Sequence, residues 1–92
     1  MNFIREKNRI YYLDDSGKLL AEITYIDLDK STVEADHTFV DSSLRGQGVA
    51  EQLVEALVEE IQSQGKKIKP TCSYVVKLFR RKADKYGSIV AD

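Results

Sequence analysis

The sequence holds one cysteine, Cys72, and one histidine, His37. A cysteine can take an acyl group as its thiolate, and a position just before a helix favours that thiolate through the helix dipole. An imidazole ionises near neutrality and can remove a proton from a thiol or an incoming ammonium. Glu34 and Asp36, just before His37 in the same run, are carboxylates able to act as a base through water, and Tyr74 can protonate a departing thiolate. Each has a quieter reading: Cys72 as a small buried hydrophobe, His37 and Tyr74 as packing residues, and the carboxylates as solvated strand positions. A second chemistry lies in Arg45-Gly46-Gln47-Gly48-Val49-Ala50. Gly46 and Gly48 let backbone N–H groups approach an anion, the helix that follows points its positive end at the same place, and Arg45 adds a fixed charge. These features predict a pyrophosphate cradle, and a plain glycine turn before a helix would look similar. The Gly-Lys-Ser/Thr ending of a Walker loop is missing, and so is the three-glycine Rossmann pattern.

These residues need elements to position them. Residues 9–13 are aromatic and β-branched and run into Asp14-Asp15-Ser16-Gly17, strong turn chemistry that predicts a hairpin. Residues 18–28 alternate, with Ala21, Ile23 and Tyr25 on one face and Leu20, Glu22, Thr24 and Ile26 on the other. After a turn over 27–31, residues 32–40 alternate again, placing Val33, Ala35, His37 and Phe39 on the apolar face opposite Glu34, Asp36 and Thr38. Three antiparallel strands in a meander follow. A helix over 48–64 turns Ala50, Leu53, Val54, Leu57, Val58 and Ile61 inward and leaves Glu51, Glu55, Glu59 and Glu60 as a solvated face, with Gly65 as its stop. Residues 66–72 return as a strand after this crossover, parallel to 32–40. Residues 74–86 form a second helix, with Val75, Leu78 and Phe79 inward and Lys77, Arg80, Arg81, Lys82 and Lys85 outward.

Composition narrows the function classes. At 92 residues the chain makes one domain, residues 1–92, with one core. The 14 basic residues are balanced by 15 acidic ones, so nothing in the overall charge supports extended nucleic-acid binding. No apolar run reaches membrane-spanning length, the N-terminus lacks a signal-peptide core, and the lone cysteine suits a reducing compartment; a cytoplasmic protein is expected. No metal site is expected.

The pattern Arg45-x-x-Gly48-x-Ala50, following a strand that ends at Val40, resembles the acyl-coenzyme A loop of GNAT-type acyltransferases. From His37-Thr38-Phe39-Val40 through Ala50, and on to Lys69-Pro70-Thr71-Cys72-Ser73-Tyr74-Val75, more than half of the chain is similar to the small, single-domain GNAT-like acetyltransferase subfamily. The resemblance implies an α/β (α+β) minimal GNAT-like fold: the antiparallel meander, a helix, a parallel splayed strand and a C-terminal helix. It also implies acetyl-CoA or coenzyme A as cofactor, touched by Phe39, Val40, Arg45, Gly46, Gln47, Gly48, Val49, Ala50, Ser73 and Tyr74. The Pro-x-Cys-x-Tyr segment would place Cys72 near the thioester, with His37, Glu34 and Tyr74 as further catalytic candidates. Two helices that wall the acceptor site in larger members have no counterpart here, since only a turn separates residues 13 and 18. The acceptor amine is therefore left open. Two functions follow: acetyl transfer to an amine, directly or through Cys72, and a coenzyme A binding or sensing module without turnover. A basic C-terminal helix docking on nucleic acid ranks behind both.

Overall fold

The chain first runs back and forth through β1 (Ile4–Glu6), β2 (Arg9–Leu13), β3 (Leu19–Asp27) and β4 (Thr32–Val40). The computed structural model describes residues 1–91. The turns are built by side chains that replace missing backbone partners. The Asp14 carboxylate accepts from the N–H groups of Ser16 and Lys18, each at 2.9 Å, and Asp29 accepts from that of Ser31 at 2.8 Å. All four strands pair antiparallel in sequence order. The meander thus has one strand more than expected. Every residue of β1 is exposed, so it carries no alternating signal, and its hairpin turn rests on Asn8 at φ 68°, a conformation asparagine tolerates better than most residues.

The face assignment holds along β3, where Ala21 and Ile23 are fully buried and Tyr25 nearly so. Along β4 it fails after Ala35. Tyr25 pairs with Ala35 but Thr24 pairs with His37, so Asp36 is an extra residue in β4. Such a bulge reverses the inside–outside phase of everything beyond it. Thr38, expected outward, pairs with the fully buried Ile23 and faces the core side; His37 and Phe39, expected inward, are exposed.

Helix α1 (Val49–Ser63) buries Val49, Leu53, Val54, Ala56, Leu57 and Ile61. Each fully buried Leu or Ile contributes roughly 1.5–3 kcal/mol, which decides the face that turns inward. Ala50 and Val58, expected in that stripe, are only half-buried. The helix ends on Gly65 at φ 71°, with the N–H of Gly65 donating to the Gln62 carbonyl and that of Lys66 to Ile61, a Schellman stop. Strand β5 (Lys67–Pro70) then lies parallel to β4 and completes a five-stranded sheet.

The expected second helix is two, α2 (Ser73–Arg81) and α3 (Ala83–Tyr86), broken at Lys82 with φ −118° and ψ 48°. The basic run is not wholly outward, nor the acidic face of α1 wholly solvated. Lys82 Nζ donates to Glu51 at 2.6 Å, Lys85 Nζ to Glu55 at 3.1 Å, and Arg5 pairs with Glu59 at 3.3 Å. Val75, Leu78, Phe79 and Tyr86 join the α1 residues in one core, which places all three helices on one side of the sheet. No described helix covers the other side. Ile4, Ile26 and Phe39 stand there 42%, 47% and 37% exposed. Among the described residues no helix is long and apolar enough to cross a membrane.

Candidate functional site

Where β4 ends, Asp41 fixes the loop that follows. Its carboxylate accepts from the Ser43 N–H at 3.0 Å and hydroxyl at 2.7 Å, and its own N–H donates to the Leu20 carbonyl at 2.7 Å. The Ser43 hydroxyl, with the Ser43 N–H and Lys18 adding to it against burial, holds the Asp41 carboxyl below the usual carboxylate range. A single 3-10 turn (Ser42–Leu44) leads to Gly46 and Gly48, at φ 80° and 73°. Gly48 is the N-cap of α1 and has no side chain to satisfy the helix start, so the N–H groups of Val49, Ala50 and Glu51 point outward without helical acceptors. A Cβ built on either glycine would meet no protein atom within 4 Å. Both glycines front open space. That space is a cleft of about 220 Å³ bounded by Val40, Arg45, Gly46, Gly48, Val49, Ala50 and Tyr74, with Leu44 and Glu51 completing it. Unpaired N–H groups, a helix N-terminus and an arginine around a cleft of this size fit a pyrophosphate.

Three of the expected cofactor contacts do not line this cleft. Gln47 is exposed, its amide donating to the Ser43 carbonyl at 3.4 Å. Ser73 is an exposed residue opening α2. Phe39 lies on the uncovered face opposite Glu22, because of the Asp36 bulge.

The second half of the site comes from the parting of β4 and β5. Their pairing runs from Thr32–Lys67 to Ala35–Pro70 and stops. The N–H groups of Thr71 and Cys72 both donate to the Ala35 carbonyl, at 3.1 and 3.0 Å. Beyond it β4 continues to Val40 while the segment after β5 turns into α2, so the two part in a wedge that Thr38 and Cys72 bridge. Cys72 is half-buried at the N-cap of α2, its Sγ 3.5 Å from Thr38 Oγ1. As a thiol it donates to that oxygen; as a thiolate it accepts from the Thr38 hydroxyl. Burial opposes its ionisation, but the Thr38 hydroxyl and the backbone of Val75, Tyr74 and Thr38 outweigh it and bring the thiol below its ordinary value. Tyr74 is half-buried against the phosphate cleft, and burial together with Glu51 keeps its phenol protonated further into the alkaline range.

The sheet separates the remaining candidates. His37 is exposed on the uncovered face. It does not face Cys72. Glu34 lies on the same face as His37, opposite the exposed Ile26, and accepts from the Thr71 hydroxyl at 2.6 Å. Asp36 accepts from the Thr24 hydroxyl at 2.8 Å. Thr38 and Glu51 were not among the residues expected at the site. Both depend on contacts across more than thirty positions, Thr38 with Cys72 and Glu51 with Lys82.

Residues 9–89 match the family model of the GCN5-related N-acetyl-transferases. A GCN5-like candidate N-acetyltransferase from Staphylococcus aureus, solved by NMR, is 36% identical over 98% of this chain and 87% of its own, with a TM-score of 0.78. An aminoglycoside 6'-N-acetyltransferase complexed with coenzyme A shares 27% identity and a TM-score of 0.57 over 68% of this chain but 37% of its own. A GNAT family N-acetyltransferase from Escherichia coli, also in complex with CoA, shares the fold at 24% identity and a TM-score of 0.58, across 67% of this chain and 38% of its own. Among curated proteins no relative matches the sequence. With the family pattern covering nearly its whole length and a full-length structural relative beside it, the chain belongs to the GCN5-related N-acetyltransferase family.

Proposed function

We propose that this domain transfers an acetyl group from acetyl-coenzyme A to an amine, with Cys72 as the transient acyl carrier. The observation that carries the reading is that the glycine-fronted cleft at the start of α1 reaches Tyr74, two residues along α2 from Cys72. Coenzyme A contributes the thioester that makes the acetyl group transferable. The backbone N–H groups of Gly46, Gly48, Val49 and Ala50, with Arg45, hold its pyrophosphate. Cys72 Sγ, ionised with the help of the Thr38 hydroxyl, attacks the acetyl carbonyl: a carbon–sulfur bond forms at Cys72 as the bond to the departing sulfur breaks, and Tyr74 supplies that sulfur with a proton. The amine then attacks the acyl carbon and releases Cys72 as thiolate. In this reading Glu34 or His37, on the uncovered face, takes the amine proton through water.

The uncovered face favours one alternative. Only the turn over residues 14–18 joins β2 to β3, so nothing from that connection walls in a small acceptor, and a coenzyme A binding module without turnover uses the same cradle. The experiment offers labelled acetyl-coenzyme A to a panel of amines, with the wild type beside Cys72→Ala, and analyses the acid-quenched protein by mass spectrometry. An acetyl adduct on Cys72 together with transfer lost in Cys72→Ala supports the acyl-cysteine route. Undiminished transfer in a folded Cys72→Ala variant removes it in favour of direct transfer assisted by His37 or Glu34. Binding with neither adduct nor transfer favours the module.

A further inference from the structure

A carboxylate lines the cleft assigned to the phosphates. Glu51 is the third residue of α1 and bounds the same space as Arg45, Gly46 and Gly48. At that position a glutamate ordinarily reaches back toward the N–H of the N-cap residue, because the start of a helix favours negative charge. Here the N-cap is Gly48, whose N–H belongs to the cradle, so an unrestrained Glu51 would compete with a phosphate for the same donors and repel it. The structure shows the carboxylate held in ion pairs. Glu51 Oε2 accepts from Lys82 Nζ at 2.6 Å, and Arg81 Nη2 stands 4.0 Å from Oε1. Lys82 occupies the break between α2 and α3, and that break brings its side chain over the first turn of α1. Neighbouring Lys85 makes a similar pair with Glu55 at 3.1 Å, one turn further along α1 and outside the cleft.

We propose that Lys82 is a positioning residue for the cofactor: it holds the Glu51 carboxylate out of the anion cradle and neutralises it, so that the α2–α3 junction sets the affinity of the phosphate site. This rests on the cofactor reading above, and the two fail differently. The test is calorimetric titration of coenzyme A into the wild type, Lys82→Met, Glu51→Gln, the double variant, and Lys85→Met as a control. Freeing one carboxylate beside the phosphates should weaken binding by on the order of tenfold in Lys82→Met at moderate salt, and by less at high salt. Glu51→Gln should bind at least as tightly as the wild type, the double variant should match Glu51→Gln, and Lys85→Met should leave affinity unchanged. If the double variant stays as weak as Lys82→Met, Lys82 attracts the phosphates directly or merely supports the fold, and the proposal is overturned. Unchanged affinity in Lys82→Met, or an equal loss in Lys85→Met, overturns it as well. A wild type that does not bind coenzyme A at all removes the cofactor reading, and this inference with it.

Discussion

Replacing Gly48 by alanine separates two consequences that are usually confounded, strain and obstruction. Gly48 has φ 73°, and the Cβ of an alanine there would touch no protein atom within 4 Å. The cost to folding is then the left-handed backbone alone, roughly 1–2 kcal/mol for a residue with a Cβ. For a domain of this size that lowers the melting temperature by about 5–15 °C. The added methyl group instead takes up the space in front of the cradle. Losing one charge-assisted N–H contact to a phosphate costs about 1.5–3 kcal/mol, so coenzyme A should bind roughly 10- to 100-fold more weakly. Gly65→Ala is the matched control. Its φ is 71° and a Cβ there also meets nothing within 4 Å, but it lies beyond the far end of α1, about 25 Å away at 1.5 Å per residue. Melting curves should therefore fall by similar amounts in both variants, while calorimetry shows weakened coenzyme A binding only in Gly48→Ala. Equal affinities in the two folded variants would refute the assignment of the cradle.

Thr38→Val removes the hydroxyl that supports the Cys72 thiolate, so iodoacetamide should alkylate Cys72 about three- to tenfold more slowly at neutral pH. Its reactivity should rise only in more alkaline solution, and Thr38→Ser should restore it; an unchanged pH profile in Thr38→Val would remove the hydroxyl from the mechanism. Among the described residues the buried Tyr86 hydroxyl has no hydrogen-bond partner, so Tyr86→Phe should melt at the same temperature or higher, by up to about 1 kcal/mol in stability. A clear loss instead would count against that reading. Because the Asp41 carboxyl is depressed in the folded state, chiefly by the Ser43 hydroxyl, its contribution is present above the ordinary carboxylate range and lost as pH falls through the folded value. Asp41→Asn should therefore flatten the acid side of the melting profile, and a wild-type-like acid slope in the variant would refute the linkage.

Much of this molecule can be read residue by residue, and the failures share a cause. Asp14, Gly17 and Gly65 announce their turns because the conformations they permit are local. The inward set of β3 is legible because alternation persists along the whole strand. In β4 the same rule misplaces His37, Thr38 and Phe39, since nothing in Thr32–Val40 marks Asp36 as the residue without a partner across the pair. The break at Lys82 carries neither glycine nor proline, so the apolar spacing of Val75, Leu78, Phe79 and Tyr86 reads as one helix. The glycine-bearing loop before α1 is legible because Arg45 to Ala50 are consecutive and the left-handed backbone of Gly46 and Gly48 is local. Thr38 and Glu51 are not, because their roles arise from partners brought in by folding.

The residue that defeats the alternation also sorts the candidate side chains between the two faces of the sheet. With regular pairing, His37 would stand over the core beside Cys72 and Thr38 would face outward. The extra Asp36 exchanges them, so the sulfur meets a hydroxyl that can steady its charge but is a poor base, while the imidazole stands on the uncovered face with Glu34. The helix side then holds the groups suited to the cofactor: the cradle, Tyr74, Cys72 and Thr38. The other side holds the groups suited to an incoming ammonium. Between them β4 and β5 have already parted at Ala35 and Pro70. On the acyl-transfer reading the wedge is where the two sides meet, and Cys72, at its edge with a depressed thiol, is the residue through which an acetyl group would pass from the cofactor side to the amine.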